Sequence, residues 1–149
     1  MFNIKKATFG SLVCTAILFT SCGGGSDSKN KAPDASMALK DTAAYTEVKF
    51  KDSMQNFGTV KKGELVKLKY AVENIGINPL FIVNVQPSCG CTVADYTKQP
   101  ILPGKAGEIV ATFDSNHGTA GQIHKSIIVT TNTKNNPNYV LAFEGTVTE

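Results

Sequence analysis

The chain of 149 residues contains no arginine and no tryptophan, so all fifteen of its basic side chains are lysines. Nucleic-acid recognition normally draws on a basic stripe in which arginine reads bases or phosphates and aromatic rings stack. Neither feature is present, and nucleic-acid binding is excluded as a reading. The missing tryptophan also weighs against a sugar-binding platform. There is no G-x-S-x-G nucleophile turn, no glycine-rich phosphate loop and no paired His-Glu metal motif. Enzymatic activity is not expected. Nor is there an amphipathic helical pattern of useful length, which removes helical bundles and α/β folds.

What is present is ordinary for a folded domain, with 42% apolar and 18% charged residues; global disorder is excluded. The first six residues are short and positive through Lys5 and Lys6, and an apolar run of residues 7–19 follows, too short to span a bilayer comfortably as a helix. The run closes on Leu18-Phe19-Thr20-Ser21-Cys22. Small residues directly before a cysteine at the end of such a run resemble the bacterial lipobox, in which the cysteine is lipidated and becomes the new N-terminus. Residues 1–21 are therefore expected to be a removable signal and Cys22 the lipidation site. Several acyl chains on one residue hold a protein stably at a bilayer where a single chain does not. The formal charge of +3 then falls to about +1 once Lys5 and Lys6 are removed. The expected address is the membrane, anchored by lipid, with the outer membrane favoured and the chain facing the periplasm or the surface.

Residues 22–45 are rich in Gly, Ser, Asp, Lys, Asn and Ala. They show no apolar periodicity and read as a flexible tether, with at most a brief helical turn at Met37-Ala38-Leu39. From Thr46 the period changes to two. Val48 and Phe50 alternate with lysines, and Val66, Leu68, Tyr70 and Val72 form the clearest alternating strand. Phe57-Gly58-Thr59-Val60 leads into a turn at Lys61-Lys62-Gly63. Leu80 to Val85 is nearly continuous in apolar character, as expected of a strand at a sheet centre or buried on both faces. Cys91–Tyr96, Ile109–Phe113, Ile123–Thr130 and Tyr139–Val147 complete seven strands. Asn74 to Pro79 and Asn132 to Asn138 read as turn chemistry. Residues 46–149 are thus expected to form a single all-β domain, an immunoglobulin-like, seven-stranded antiparallel β-sandwich.

Asn56-Phe57-Gly58-Thr59-Val60, Gly63, Val72-Glu73-Asn74-Ile75-Gly76 and Pro79-Leu80 carry a family resemblance. Ser88-Cys89-Gly90-Cys91-Thr92, Ile101-Leu102-Pro103-Gly104, Phe113-Asp114-Ser115, Gly118, Gly121 and Thr130-Thr131-Asn132 to Gly145 continue it. Together these motifs resemble the bacterial domain-of-unknown-function family 1573 from about Thr46 to Val147. The resemblance implies an Ig-like sandwich related to Hydin-like (ASH) and major-sperm-protein domains, which usually serve as scaffold or binding modules.

Of the four cysteines, Cys14 and Cys22 fall in the export signal, leaving Cys89 and Cys91 in the domain. In an exported protein these meet an oxidising environment. Three readings stay open for Cys89-Gly90-Cys91. The pair is a structural element, either packed thiols or a local disulfide; or it is a redox-labile bridge, since a one-residue loop closes a strained ring. The third reading is a soft-metal site for Cu(I) or Zn. In seven strands of alternating direction the connections after strands three and five lie at one end, so His117 could approach the cysteines, and His124 begins strand six nearby. No cofactor beyond such an ion is implied. The leading functional expectation is a non-enzymatic envelope lipoprotein that binds a protein partner through a sheet face or edge. The alternatives are the metal or redox module, and peptide or carbohydrate binding.

Overall fold

A computed structural model describes residues 35–117, 119–134 and 136–149. The expected signal segment, the proposed lipidation site Cys22 and most of the expected tether lie outside the described residues. Eight strands follow one another: β1 (Val48–Phe50), β2 (Met54–Lys61), β3 (Leu65–Asn74), β4 (Ile82–Pro87), β5 (Thr92–Tyr96), β6 (Ala106–Asp114), β7 (Gly121–Thr131) and β8 (Asn138–Thr148). They form two four-stranded sheets, ordered β1-β3-β6-β5 and β2-β8-β7-β4. This is the expected all-β sandwich, with one strand more than the seven anticipated.

The additional strand is β2, and it pairs parallel to β8, so the second sheet is mixed rather than purely antiparallel. Its sequence hides it for a physical reason. The register slips between Asn56 and Thr59 around Gly58, whose φ of 75° is a left-handed conformation that glycine adopts without a Cβ penalty. The Asn56 side chain accepts the Gly58 N–H at 2.7 Å, fixing the bulge. Inward positions therefore fall at Phe57 and Val60, three residues apart, and period-two reading fails. The Phe57 ring lies against Gly145 of β8, so closely that a Cβ there would overlap Cε2. Glycine at 145 is what lets the edge strand insert its aromatic ring.

Elsewhere the alternation is followed closely. Along β3, Leu68, Tyr70, Val72 and Asn74 are buried and the residues between them are exposed. The core is the inward face of both sheets, with Tyr70, Val72, Ile109 and Phe113 opposing Ile127, Val129, Leu141 and Phe143. Phe57, Phe113 and Phe143 form an aromatic cluster with ring centroids 5.6–6.2 Å apart. The Tyr70 hydroxyl crosses between sheets and donates to the Ala142 carbonyl at 2.8 Å.

A second correction concerns the Leu80–Val85 run. Rather than a central strand, β4 is an edge strand beside β7. Leu80, Phe81 and Ile82 are buried because Leu80 bridges Ile101 and Ile82 enters the core before a register shift at Asn84. The apolar run thus records one loop residue pair and a strand start, not two buried faces.

Candidate functional site

The Cys89-Gly90-Cys91 turn carries β4 of one sheet to β5 of the other. Ser88 N–H donates to the Ser126 carbonyl at 2.9 Å, and Ser126 N–H returns to the Ser88 hydroxyl at 3.2 Å. On the opposite side the Cys91 carbonyl accepts Asp114 N–H at 2.9 Å. Between these anchors Cys89 and Cys91 are joined by a disulfide. Both residues are half-buried, and Cys91 packs against the core. The buried Thr92 hydroxyl lies 3.8 Å from one sulfur and 4.0 Å from the other. The turn is therefore a clamp at the point where the chain changes sheets.

His117 lies at the same end, as the alternation of strand direction implies, in a single 3₁₀ turn (Ser115–His117). Its Nδ1 is 2.9 Å from Asp114 Oδ2, and Asp114 N–H is itself bonded to Cys91. His124 is on the outer face of the second sheet, 3.7 Å from Glu144, its cross-strand partner. The two histidines are thus held by separate carboxylates and are not brought together with the cysteines. Among the described residues no group of three or more His, Cys, Asp or Glu side chains is placed to hold a metal ion. A disulfide also removes both sulfurs as thiolate ligands. The donor set expected for a soft metal is not assembled.

The opposite end of the sandwich is built on three asparagines that the sequence presents only as turn residues. Asn74 is fully buried. Its Oδ1 accepts from Thr46 Oγ1 and Gly76 N–H, and its Nδ2 donates to the Asn78 and Ile101 carbonyls, both at 2.8 Å. Asn132, also fully buried, accepts Phe81 N–H at 2.7 Å and donates to Ala44 at 2.7 Å and Pro79 at 3.0 Å. Asn78 donates to the Ala43 and Tyr45 carbonyls. These side chains satisfy backbone groups where the strands end and cannot pair with one another. They also fasten residues 43–46, at the boundary between expected tether and domain, onto the sandwich. The ten residues of β3 run from one end to the other. At about 3.3 Å per residue, the disulfide turn and the chain's point of entry are roughly 30 Å apart.

Between the ends, the surfaces differ in chemistry. The outer face of β1-β3-β6-β5 carries Lys49, Lys51, Lys67, Lys69, Glu73 and Glu108, with a 3.9 Å Lys69–Glu108 pair. The outer face of β2-β8-β7-β4 is poor in charge. There Met54 is registered with Ala142, and Val140 with Ile128. Met54, Ile128 and Val140 are 48, 46 and 61% exposed. Beside them a shallow open groove is lined by Asn56, Thr59, Gln122, His124, Glu144 and Thr146.

The sheet edges on the β4/β5 side are blunted. Cys91 and Thr97 bond to β6, so residues 92, 94 and 96 turn their backbone groups outward. Thr92 N–H is taken by the Cys89 carbonyl, and Tyr96 N–H by the Asp95 carboxylate at 2.8 Å. On β4, Pro87 has no N–H to offer, and the Val83 carbonyl accepts the Tyr96 hydroxyl at 3.3 Å.

Residues 48–147 match the model of the family described as "Protein of unknown function (DUF1573)". The sequence has no match among curated proteins. In structure the chain is similar to a protein of unknown function from Porphyromonas gingivalis W83, with a TM-score of 0.62 at 18% identity over 71% of this chain. The match spans 49% of that protein, about half its length. It is also similar to the ASH/PapD-like domain 7 of human CEP192, with a TM-score of 0.54 at 14% identity, over 71% of this chain and 88% of that one. A third likeness is to a family 123 glycoside hydrolase from Clostridium perfringens, with a TM-score of 0.53 at 11% identity over 69% of this chain and 27% of the hydrolase. At these identities the likenesses show the fold alone.

Proposed function

The chain belongs to the DUF1573 family, and we propose that it is a non-enzymatic, lipid-anchored binding module of the cell envelope that docks a protein partner. Residues 1–21 are the signal, Cys22 is the lipidated residue, and the outer membrane is the destination. The docking surface is the outer face of β2-β8-β7-β4. The observation that carries this reading is the contrast between the two sheet faces. One is studded with lysine and glutamate around Leu65 and Val93, whereas the other presents Met54, Ile128 and Val140 in a field of Ser, Thr, Asn and Gln, with charge confined to the His124–Glu144 pair and Lys61. Depletion of charge around exposed apolar side chains is the compositional mark of an interface core. Docking by strand addition at the β4 and β5 edges is disfavoured, because Thr92 N–H, Tyr96 N–H and the Val83 carbonyl are already taken and Pro87 has no N–H to offer.

The test is site-specific photocrosslinking in living cells, with a photoreactive phenylalanine analogue placed at Val140, at Ile128 or at Lys67 on the opposite face. Discrete adducts from Val140 and Ile128 but not from Lys67 support the assignment. Adducts of equal yield from both faces, or none from Val140 and Ile128, overturn it. Cys22→Ser, followed by membrane fractionation and intact mass, tests the anchor independently.

A further inference from the structure

The end of the sandwich at which the chain enters carries exposed apolar side chains that no internal contact explains. Ile77 is 89% exposed at the tip of the β3–β4 loop, and Ile75 in the same loop is 51% exposed. Leu102, in the β5–β6 loop, is 56% exposed, and Met37, in the short helix Ala35–Ala38, is 70% exposed. At the opposite end, beside the disulfide turn, Leu65 and Val93 are the large apolar residues exposed among the described residues, and both stand on the outer face of β1-β3-β6-β5 rather than on a loop tip. The apolar tips are also held in place. Asn74 ties Asn78 and Ile101 together, Asn74 N–H donates to the Lys105 carbonyl, and Asn78 binds Ala43 and Tyr45. Gly76 lies so tightly on the start of β1 that a Cβ there would overlap Thr46 Oγ1. Ile77 is therefore presented outward by a loop with little freedom to fold it back. Exposed Lys40, Lys105 and Lys134 sit around these tips together with the exposed carboxylates of Asp41 and Glu47, so the lysines outnumber the acids by three to two, and Asp41 also caps Ala43 N–H.

We propose that this end of the domain is a membrane-seating surface, in which Ile75, Ile77, Leu102 and Met37 enter the headgroup region of an anionic phospholipid bilayer while Lys40, Lys105 and Lys134 pair with lipid phosphates. The inference rests on the lipid anchor at Cys22. From Cys22 to Ala35 is 13 residues, which span at most about 45 Å when fully extended. The chain joins the domain at the very end that carries the apolar tips. A tethered surface meets the bilayer at high effective concentration, so contacts too weak to hold a free protein become populated. Apolar side chains with an excess of lysine among their neighbours are what such an interfacial contact requires. Seating this end directs the disulfide turn away from the bilayer and leaves the outer sheet faces free at its side.

The absence of native tryptophan makes the test direct. Full-length, membrane-extracted protein carrying Ile77→Trp or Leu65→Trp is reconstituted on vesicles of phosphatidylethanolamine and phosphatidylglycerol containing acyl-brominated lipid. Intact mass and flotation report the anchor separately. The expected result is a blue shift and loss of most emission for Ile77→Trp, with Leu65→Trp unshifted and unquenched. Emission from Ile77→Trp that stays red and unquenched on protein that floats overturns the seating and leaves the anchor standing; it points instead to a protein partner for these tips. Protein without the lipid mass that fails to float overturns both. A Leu102→Trp variant gives a second reporter on a different loop and is expected to follow Ile77→Trp.

Discussion

Asn132 is a residue whose removal the structure predicts to be damaging out of proportion to its size. It is fully buried, and its amide serves three backbone groups from two segments: Phe81 N–H and the Pro79 carbonyl from one, and the Ala44 carbonyl from the other. Asn132→Ala strands Phe81 N–H in the interior, while the Pro79 and Ala44 carbonyls, both in part-buried bonds, lie near enough to solvent to recover water. The stranded group costs about 1–3 kcal/mol, and the lost side-chain volume adds to it, so the expected loss is roughly 2–4 kcal/mol. Against a typical stability of about 5–15 kcal/mol, that is a large fraction of the whole. Urea unfolding followed by far-UV circular dichroism measures it, with the midpoint falling and the slope unchanged. Asn132→Asp separates the hydrogen-bond argument from packing. It keeps an acceptor for Phe81 N–H but sets a carboxylate against the Pro79 and Ala44 carbonyls. Burial and those oxygens raise its folded pKa above the ordinary aspartate value. A group with a raised folded pKa stabilises below its unfolded pKa and loses that contribution as pH rises. The Asp variant should therefore lie closer to wild type at pH 4 than at pH 7, whereas the Ala variant shows no such recovery. An Ala variant within about 1 kcal/mol of wild type, or parallel pH profiles for both variants, would refute the reasoning.

Burial pushes the Tyr70 phenol from the ordinary 10 up to about 12. The native state then holds that proton more tightly than the unfolded chain, so the contribution is complete below pH 10 and is lost as pH rises toward 12. Tyr70→Phe should cost about 1–2 kcal/mol at neutral pH, through the lost buried hydrogen bond to the Ala142 carbonyl, and should flatten the stability decline between those pH values. The disulfide is expected to resist alkylation in protein taken from its native compartment, with an intact mass two hydrogens light. Because its loop spans only three residues, reduction should cost no more than about 1.6 kcal/mol by chain entropy. Two free thiols in the native protein, or a much larger loss on reduction, would contradict this.

Much of the architecture is written in strand periodicity. Val66, Leu68, Tyr70 and Val72 declare an inward face because a pleated strand alternates its side chains, and the same holds for the residues of β6, β7 and β8. Turn chemistry marks the punctuation between them. Strand direction alone places His117 at the end that holds the Cys89–Cys91 turn.

Tertiary structure decided what depends on residues distant in the chain. β2 escapes a period-two reading because the Gly58 bulge shifts its face, and its parallel pairing requires β8, more than eighty residues away. Asn74, Asn78 and Asn132 carry ordinary turn residues' names, and nothing local says that two of them are buried. Their role follows from strand ends that converge from both sheets and leave backbone groups without ladder partners. Whether His117 and His124 reach the cysteines was likewise a question of side-chain direction, answered by Asp114 and Glu144. Local sequence determines which residues turn inward, because side-chain alternation is a property of one strand. Which loops, edges and faces are left to meet other molecules is a property of two sheets packed together, and only their packing supplies it.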